Sequence, residues 1–319
     1  MTTLGMYFSL EIYRLLGRRS SVGGAIALYL RQESDRSWVR SPPAAPCSDA
    51  LFYPVKFTVK GEKMVDGHVG QIFNSIQGEG IYVGRRQVFV RFAGCSLDCR
   101  YCDTESFRQF RPSFCEVETK PGSMKIKRVK NPMNKSQVLL HVKRLTTPDT
   151  HSVSLTGGEP LNAGDFLTDI AKGCKQAGLA TYLETNGASR EAMKRVIKHI
   201  NIAAIDIKLP EHLAVPARSW PGLLEQELSC IKLSLEEGVE TFVKIVVLPQ
   251  TSKKIVARVC KDLKKIGDVP LVLQPVTPSR RIHSAPSMTQ VYQLAQAAAR
   301  SGIKEIAIIP QIHKLIGVF

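Results

Sequence analysis

Cys95, Cys99 and Cys102 form the pattern C-x3-C-x2-C within Cys95-Ser96-Leu97-Asp98-Cys99-Arg100-Tyr101-Cys102. Three thiolates so close in sequence can face a single centre, and soft sulfur ligands select an iron–sulfur cluster or zinc. A structural zinc site wants a fourth ligand, usually from a second C-x2-C pair. The chain has no such pair, and His68, His141 and His151 stand alone. Three ligands on a four-iron cluster leave one iron open, and an open iron can bind substrate or cofactor. The other five of the eight cysteines are scattered, too few for a disulfide scaffold in a chain of 319 residues. That usage implies a reducing compartment, the cytoplasm.

Other polar segments interrupt apolar runs and are further candidates for chemistry. They are Thr156-Gly157-Gly158-Glu159-Pro160, Glu184-Thr185-Asn186-Gly187, Asp206-Ile207-Lys208 and Gln274-Pro275-Val276-Thr277-Pro278. Arg91 stands four residues before Cys95. Each segment follows or ends a β-rich run, at Gln87–Phe92, Ser152–Leu155, Ala180–Leu183, Ile202–Ile207 and Leu271–Leu273, with further runs at Thr241–Leu248 and Glu305–Ile309. Between them the apolar spacing is helical, over Ser136–Leu145, Ala188–Ile200, Leu223–Leu235, Lys253–Ile266 and Met288–Ala299. Strand followed by helix, repeated about six times, means parallel βα units. The expected fold class is therefore α/β, a partial (β/α) barrel with parallel strands. In such folds the loops after the strands carry the chemistry, and the polar segments fall there.

Bulk composition sets the frame. The chain is 44% hydrophobic, enough for a sizeable core. No apolar run approaches the roughly 20 residues of a membrane span. The net charge of +16 favours anionic partners, but the basic residues are spread along the chain and do not interleave with aromatics as a strand-binding platform requires. Residues 1–63 hold no sustained helix or strand period beyond Ala25 to Leu30 and carry Glu11, Glu33, Asp35, Asp49 and Glu62, unlike a transit peptide. They are expected to be a leader, disordered or wrongly assigned, with Met64 as a natural start and residues 64–319 as the working domain. Phe107 to Met133 is polar and basic, and it reads as a loop insertion after the cysteines.

The C-x3-C-x2-C pattern with Tyr101 before its last cysteine resembles the signature of the radical S-adenosylmethionine enzymes, and Thr156–Pro160 resembles their second motif. A narrower resemblance, to the 7-carboxy-7-deazaguanine synthases, rests on Ile72–Gly80 (with Gln77-Gly78-Glu79-Gly80), on Phe89–Cys95 leading into Cys102-Asp103-Thr104, and on Pro310–Gly317. It implies a 4Fe-4S cluster on Cys95, Cys99 and Cys102, with S-adenosylmethionine and Mg2+ as further cofactors. One electron from the cluster would cleave the sulfonium, and the resulting 5′-deoxyadenosyl radical would remove hydrogen from C6 of a carboxylated tetrahydropterin. By the same resemblance, Ile76, Gln77, Gly78, Glu79, Arg91, Thr156 and the C-terminal carboxylate of Phe319 meet the substrate, and Thr104 ligates Mg2+. Tyr101, Asp103, Gly157, Gly158, Glu159, Asp206, Ile207, Lys208 and Gln274, Pro275, Val276 and Thr277 meet S-adenosylmethionine. Glu184, Asn186, His313 and Lys314 lie close enough to assist. A homodimer and a one-electron reductant such as flavodoxin or ferredoxin are also implied. The rival readings are a glycyl-radical-enzyme activating enzyme and a non-catalytic iron–sulfur module that binds RNA.

Overall fold

The computed structural model describes residues 65–319. The expected leader, residues 1–63, and Met64 lie outside the described residues. Ten strands build one sheet: β1 Val69–Ile76, β2 Arg86–Phe92, β3 Phe114–Glu118, β4 Ile126–Lys130, β5 Ser152–Gly157, β6 Thr181–Thr185, β7 Ile202–Asp206, β8 Glu240–Val247, β9 Leu271–Pro275 and β10 Ile306–Ile308. Their spatial order is β10-β9-β8-β7-β6-β5-β2-β1-β3-β4. Seven α-helices are described: α1 Lys135–Leu145, α2 Asp165–Gln176, α3 Arg190–Val196, α4 Trp220–Glu236, α5 Lys253–Ile266, α6 Met288–Arg300 and α7 Ile312–Ile316.

From β2 through β10 every pairing is parallel, as the alternation of strand and helix predicts. The other edge of the sheet adds antiparallel pairings to the parallel barrel strands. β1 runs antiparallel to β2, and the 107–133 segment is no loop but contains the antiparallel hairpin β3–β4, which extends the sheet through a parallel β1–β3 contact. Its strands were hard to read because β4, with exposed Lys127, Arg128 and Lys130, shows water the polar residues that mark an edge strand. Helix α2 was also unforeseen.

Successive strand residues point to opposite faces, so each strand divides its side chains between two environments. One set, including Val90, Leu155, Leu183, Ile205, Ile245 and Leu273, joins the buried residues of the helices in the main core. The opposite set, Tyr182, Ala204, Phe242 and Val272, forms a smaller inner cluster. Continuing that inward alternation toward the C-terminal strand ends brings Arg91, Thr156, Glu184, Asp206, Lys244 and Gln274 to the inner face. The register sets Arg91 opposite Thr156 and Asp206 opposite Lys244. Near its C-terminal end, strand after strand thus turns a polar residue inward.

Candidate active site

The inner strand ends and the loops beyond them enclose a cleft of about 370 Å³. All three cysteines of the motif line it, on a loop pinned by Asp98 N–H to Ala214 O (3.1 Å) and Arg100 N–H to His212 O (2.9 Å). The other described cysteines, Cys115, Cys174, Cys230 and Cys260, are buried elsewhere. Burial pushes the Cys95 thiol up to about 11 and raises Cys99 as well, so thiolates there need a cation to stabilise them. A metal cluster is such a cation. Three soft donors facing an open cleft, with no fourth sulfur among the described residues that line it, fit a cluster with one iron left free.

The Gly-Gly-Glu segment after β5 closes against the cysteine loop. Gly157 has φ +142°, and a Cβ there would lie 2.2 Å from the carbonyl oxygen of Phe92, so only glycine fits. Glu159 was expected to touch the cofactor, yet both its oxygens are engaged internally: one accepts from Leu161 N–H (3.0 Å) and the Thr185 hydroxyl (2.6 Å), the other from Asn186 N–H (2.7 Å). It ties the loops after β5 and β6 together and so shapes the cleft wall.

Arg91 enters the cleft from β2 between two aromatic rings, its guanidinium carbon 5.6 Å from the Phe73 centroid and 5.3 Å from that of Phe107. Burial lowers its pKa against the attraction of Asp103, Glu184 and Glu79. Its Nε is buried without a hydrogen-bond partner among the described residues. A half-buried guanidinium whose inner Nε lacks a partner is costly and suits an anionic ligand.

Across the cleft the charges are paired. Lys244 contacts Glu79 and lies 3.3 Å from Asp206; Lys208 donates to Asp206 (2.9 Å) and to the Tyr101 hydroxyl (3.0 Å). Burial opposes ionisation of Glu79, but Lys244 overrides it and holds that carboxyl at about 2. The same contest ends with Asp206 lowered, because Lys208 and Lys244 both attract its charge. Glu184 goes the other way. Burial raises it despite hydrogen bonds from Thr156 (2.7 Å) and Gln77 (2.6 Å). Two carboxyl groups in one cleft, shifted in opposite senses, offer one anion and one group that takes a proton more readily.

The C-terminal segment roofs the cleft. Gln311 donates to Glu79 (2.7 Å) and Asp103 (2.8 Å), Lys314 pairs with Asp103 (2.8 Å), and Ser75 donates to the Phe319 main-chain oxygen (3.1 Å). A Cβ on Gly78 would collide with His313 at 2.1 Å, so the glycine permits the roof to seat. Thr104 also lines the cleft, its hydroxyl 3.7 Å from Cys102 Sγ. Glu79, Asp103 and His313 each bring one ligand atom within 4.8 Å of the others, although Lys244, Gln311 and Lys314 already engage the two carboxylates.

Most candidate residues therefore meet in one place: Ile76, Gln77, Gly78, Glu79, Arg91, Tyr101, Asp103, Thr104, Thr156, Gly157, Gly158, Asp206, Lys208 and Phe319 line the main cleft. Gln274 and Val276 line a smaller recess beside it, shared with Tyr101, Asp103 and Asp206. Three do not fit as side chains. Ile207 is fully buried in the core, because the alternation of β7 points it away, and Pro275 and Thr277 line neither space. Lys244, Gln311, Phe73 and Phe107 were missed. A lysine on the inward register of the apolar run Thr241–Leu248 was the available signal for the first.

The sequence profile of the Radical SAM superfamily matches residues 89–263. The chain is 38% identical over 251 residues to a 7-carboxy-7-deazaguanine synthase of Methanocaldococcus jannaschii, covering 78% of this chain and 99% of that one. It is 34% identical over 251 residues to the enzyme so named in Geobacter sulfurreducens, with 77% and 96% covered. The crystal structure of QueE from Escherichia coli superimposes with a TM-score of 0.50 at 18% identity, over 78% of this chain and 95% of that one, a likeness of fold.

Proposed function

The chain belongs to the 7-carboxy-7-deazaguanine synthase family of radical S-adenosylmethionine enzymes, and from that premise we propose that its cleft contracts the ring of 6-carboxy-5,6,7,8-tetrahydropterin to 7-carboxy-7-deazaguanine with loss of ammonia. This is a carbon–nitrogen lyase step toward 7-deazapurine nucleosides such as queuosine in tRNA. Family membership removes the two rival readings, a protein-activating enzyme and a non-catalytic RNA-binding module. When bound, the cluster and S-adenosylmethionine supply one-electron cleavage and abstraction of a substrate hydrogen, and the protein supplies placement and electrostatics.

The observation that carries the reading is Arg91, a half-buried guanidinium with a buried, unpartnered Nε among the described residues, in the cleft that also holds the three sulfurs. It binds the substrate carboxylate through charge-assisted hydrogen bonds. Phe73 and Phe89, stacked at 4.9 Å, form an apolar wall for a flat ring. Glu79, kept ionised by Lys244, accepts from the amidine-like edge of the pterin, beside the backbone of Ile76, Gln77 and Gly78. Glu184 and Thr156 sit where a proton on the substrate ring would be held. Tyr101, Gly158, Asp206, Lys208 and the Gln274 recess take S-adenosylmethionine. We assign Mg2+ to the Thr104 hydroxyl, a hard oxygen ligand. A homodimer and a flavodoxin or ferredoxin as electron donor complete the reading.

Anaerobically reconstituted protein, incubated with the carboxytetrahydropterin, S-adenosylmethionine and a reductant, tests it by mass spectrometry. A product with the mass of 7-carboxy-7-deazaguanine is expected. Cleavage of S-adenosylmethionine with the pterin left intact overturns the substrate assignment.

A further inference from the structure

Beyond Asp206 the chain leaves the sheet, and side chains that do not line the cleft hold its main-chain groups. Lys208 N–H donates to Glu227 Oε1 (3.0 Å), and Lys208 O accepts from Trp220 Nε1 (2.8 Å). One residue on, Leu209 N–H donates to His212 Nδ1 (2.9 Å), and His212 Nε2 donates to Val246 O (2.8 Å). Glu227 and His212 are wholly buried, and Trp220 is 7% exposed. Glu227 and Trp220 both belong to α4, seven residues apart on the face turned to the sheet.

A carboxyl in that position is expensive. Its Oε2 is buried without a partner, and a hydrophobic residue there would avoid the desolvation cost. What Glu227 provides in exchange is one acceptor for one main-chain N–H. Burial pushes the carboxyl well above its usual range against the attraction of the Lys208 charge, and its Oε1 accepts that hydrogen bond. The consequence of the two bonds is directional. With both main-chain groups of Lys208 fixed, its side chain starts from a set position and runs to the Tyr101 hydroxyl and Asp206, beside the cysteine loop.

We infer that Glu227 and Trp220 are positioning residues for the cofactor site: from α4 they lock the main chain of Lys208, and so set its ammonium where S-adenosylmethionine binds. This rests on the reading of Asp206–Lys208 as cofactor-binding residues. Losing one buried hydrogen bond of this kind changes an equilibrium by roughly tenfold.

Equilibrium binding of S-adenosylmethionine to the cluster-loaded protein, without reductant, tests the inference, together with melting temperature and the KM for the pterin. Glu227→Leu keeps the volume and removes the acceptor. It is expected to weaken S-adenosylmethionine roughly tenfold while the pterin KM stays put. Glu227→Gln, whose amide oxygen accepts the same N–H, is expected to restore the affinity. A folded Glu227→Leu protein with undiminished affinity overturns the inference, as does a Glu227→Gln protein as weak as Glu227→Leu. If Glu227→Leu does not fold, Trp220→Phe decides: it removes the other bond and keeps the aromatic packing, and unchanged affinity again overturns the inference. Lys208→Met separates the two readings. No effect from Lys208→Met means the cofactor reading is wrong; an effect from Lys208→Met alone means the positioning inference is wrong.

Discussion

The two sides of the cleft differ in how far their charges are satisfied. On one side Glu79, Lys244, Asp206, Lys208 and Tyr101 form a continuous chain of ion pairs and hydrogen bonds. On the other, the Arg91 Nε has no partner among the described residues, and three thiols face open space. The paired side holds its ligand-facing groups in place through one another. The unpaired side holds donors and sulfurs whose burial makes sense only when something arrives. Substitutions on the two sides should therefore fail differently: the paired side through stability as well as through ligand binding, the unpaired side through loss of a bound group alone.

The largest effect belongs to the sulfurs. Cys95→Ala, Cys99→Ala and Cys102→Ala should each abolish the brown chromophore and all turnover, while the apo-protein stays folded, because none of the three makes an internal bond the fold depends on. Iron content and visible absorption measure this. Full cluster content with normal activity in any one of the three would remove the assignment.

Next comes the paired side. Lys244→Met leaves Glu79 and Asp206 buried without their shared cation, and breaking a buried pair in this way costs about 3–5 kcal/mol of stability. Acid titration shows the same linkage. Glu79 has a folded pKa of about 2, below its ordinary 4.5. Its contribution is thus present above about 4.5 and is lost as pH falls toward 2. In Lys244→Met, burial and the Asp206 charge raise the Glu79 pKa against the Gln311 hydrogen bond alone, so that contribution should shrink. A variant that melts like the parent, with the same acid profile, would show that the chain of pairs is not what organises this wall.

Arg91 tests the unpaired side at smaller scale. Arg91→Lys keeps the charge but loses the planar fork. A charge-assisted hydrogen bond contributes roughly 1.5–3 kcal/mol, which predicts a fall of about ten- to a hundredfold in kcat/KM for the pterin. Uncoupled cleavage of S-adenosylmethionine should persist, since the cysteine loop and Gly157-Gly158 are untouched. Unchanged pterin kinetics with collapsed cofactor affinity would move Arg91 to the other ligand.

The two sides were also unequally legible from the sequence. The cysteine loop, Arg91 and Thr156–Pro160 are local motifs, with chemistry and spacing readable along a few residues. The strand periods of β5 to β9 and the helical periods between them, that of α2 excepted, were readable for the same reason. Lys244 was not, because a lone lysine in an apolar strand reads as its solvent face until the register with Asp206 shows that face to be the interior. Gln311 reaches Glu79 across 232 positions of sequence, a separation no local pattern spans. Glu227 looks like any exposed helix carboxylate. Ile207 was assigned by adjacency to its neighbours, and strand alternation sends it to the core.

The smallest expected effect lies at the roof. Lys314 pairs with Asp103 at 2.8 Å, but their side chains are 31% and 36% exposed, so the pair is screened and each partner remains hydrated. Pairs of that kind contribute about 0–1 kcal/mol. Gln311, 8% exposed, holds the same Asp103 at 2.8 Å and also Glu79, so the roof stays attached when Lys314 lets go. Lys314→Met should therefore change melting temperature hardly at all and alter kcat/KM for the pterin by no more than about fivefold. Its small effect should shrink further at high salt, because screening already weakens the pair in the parent. The melting curves and kinetics of parent and variant at two ionic strengths measure this. If Lys314→Met instead costs as much as Arg91→Lys, the roof belongs with the unpaired side of the cleft, and Lys314 is a ligand for the substrate and not a strap over it.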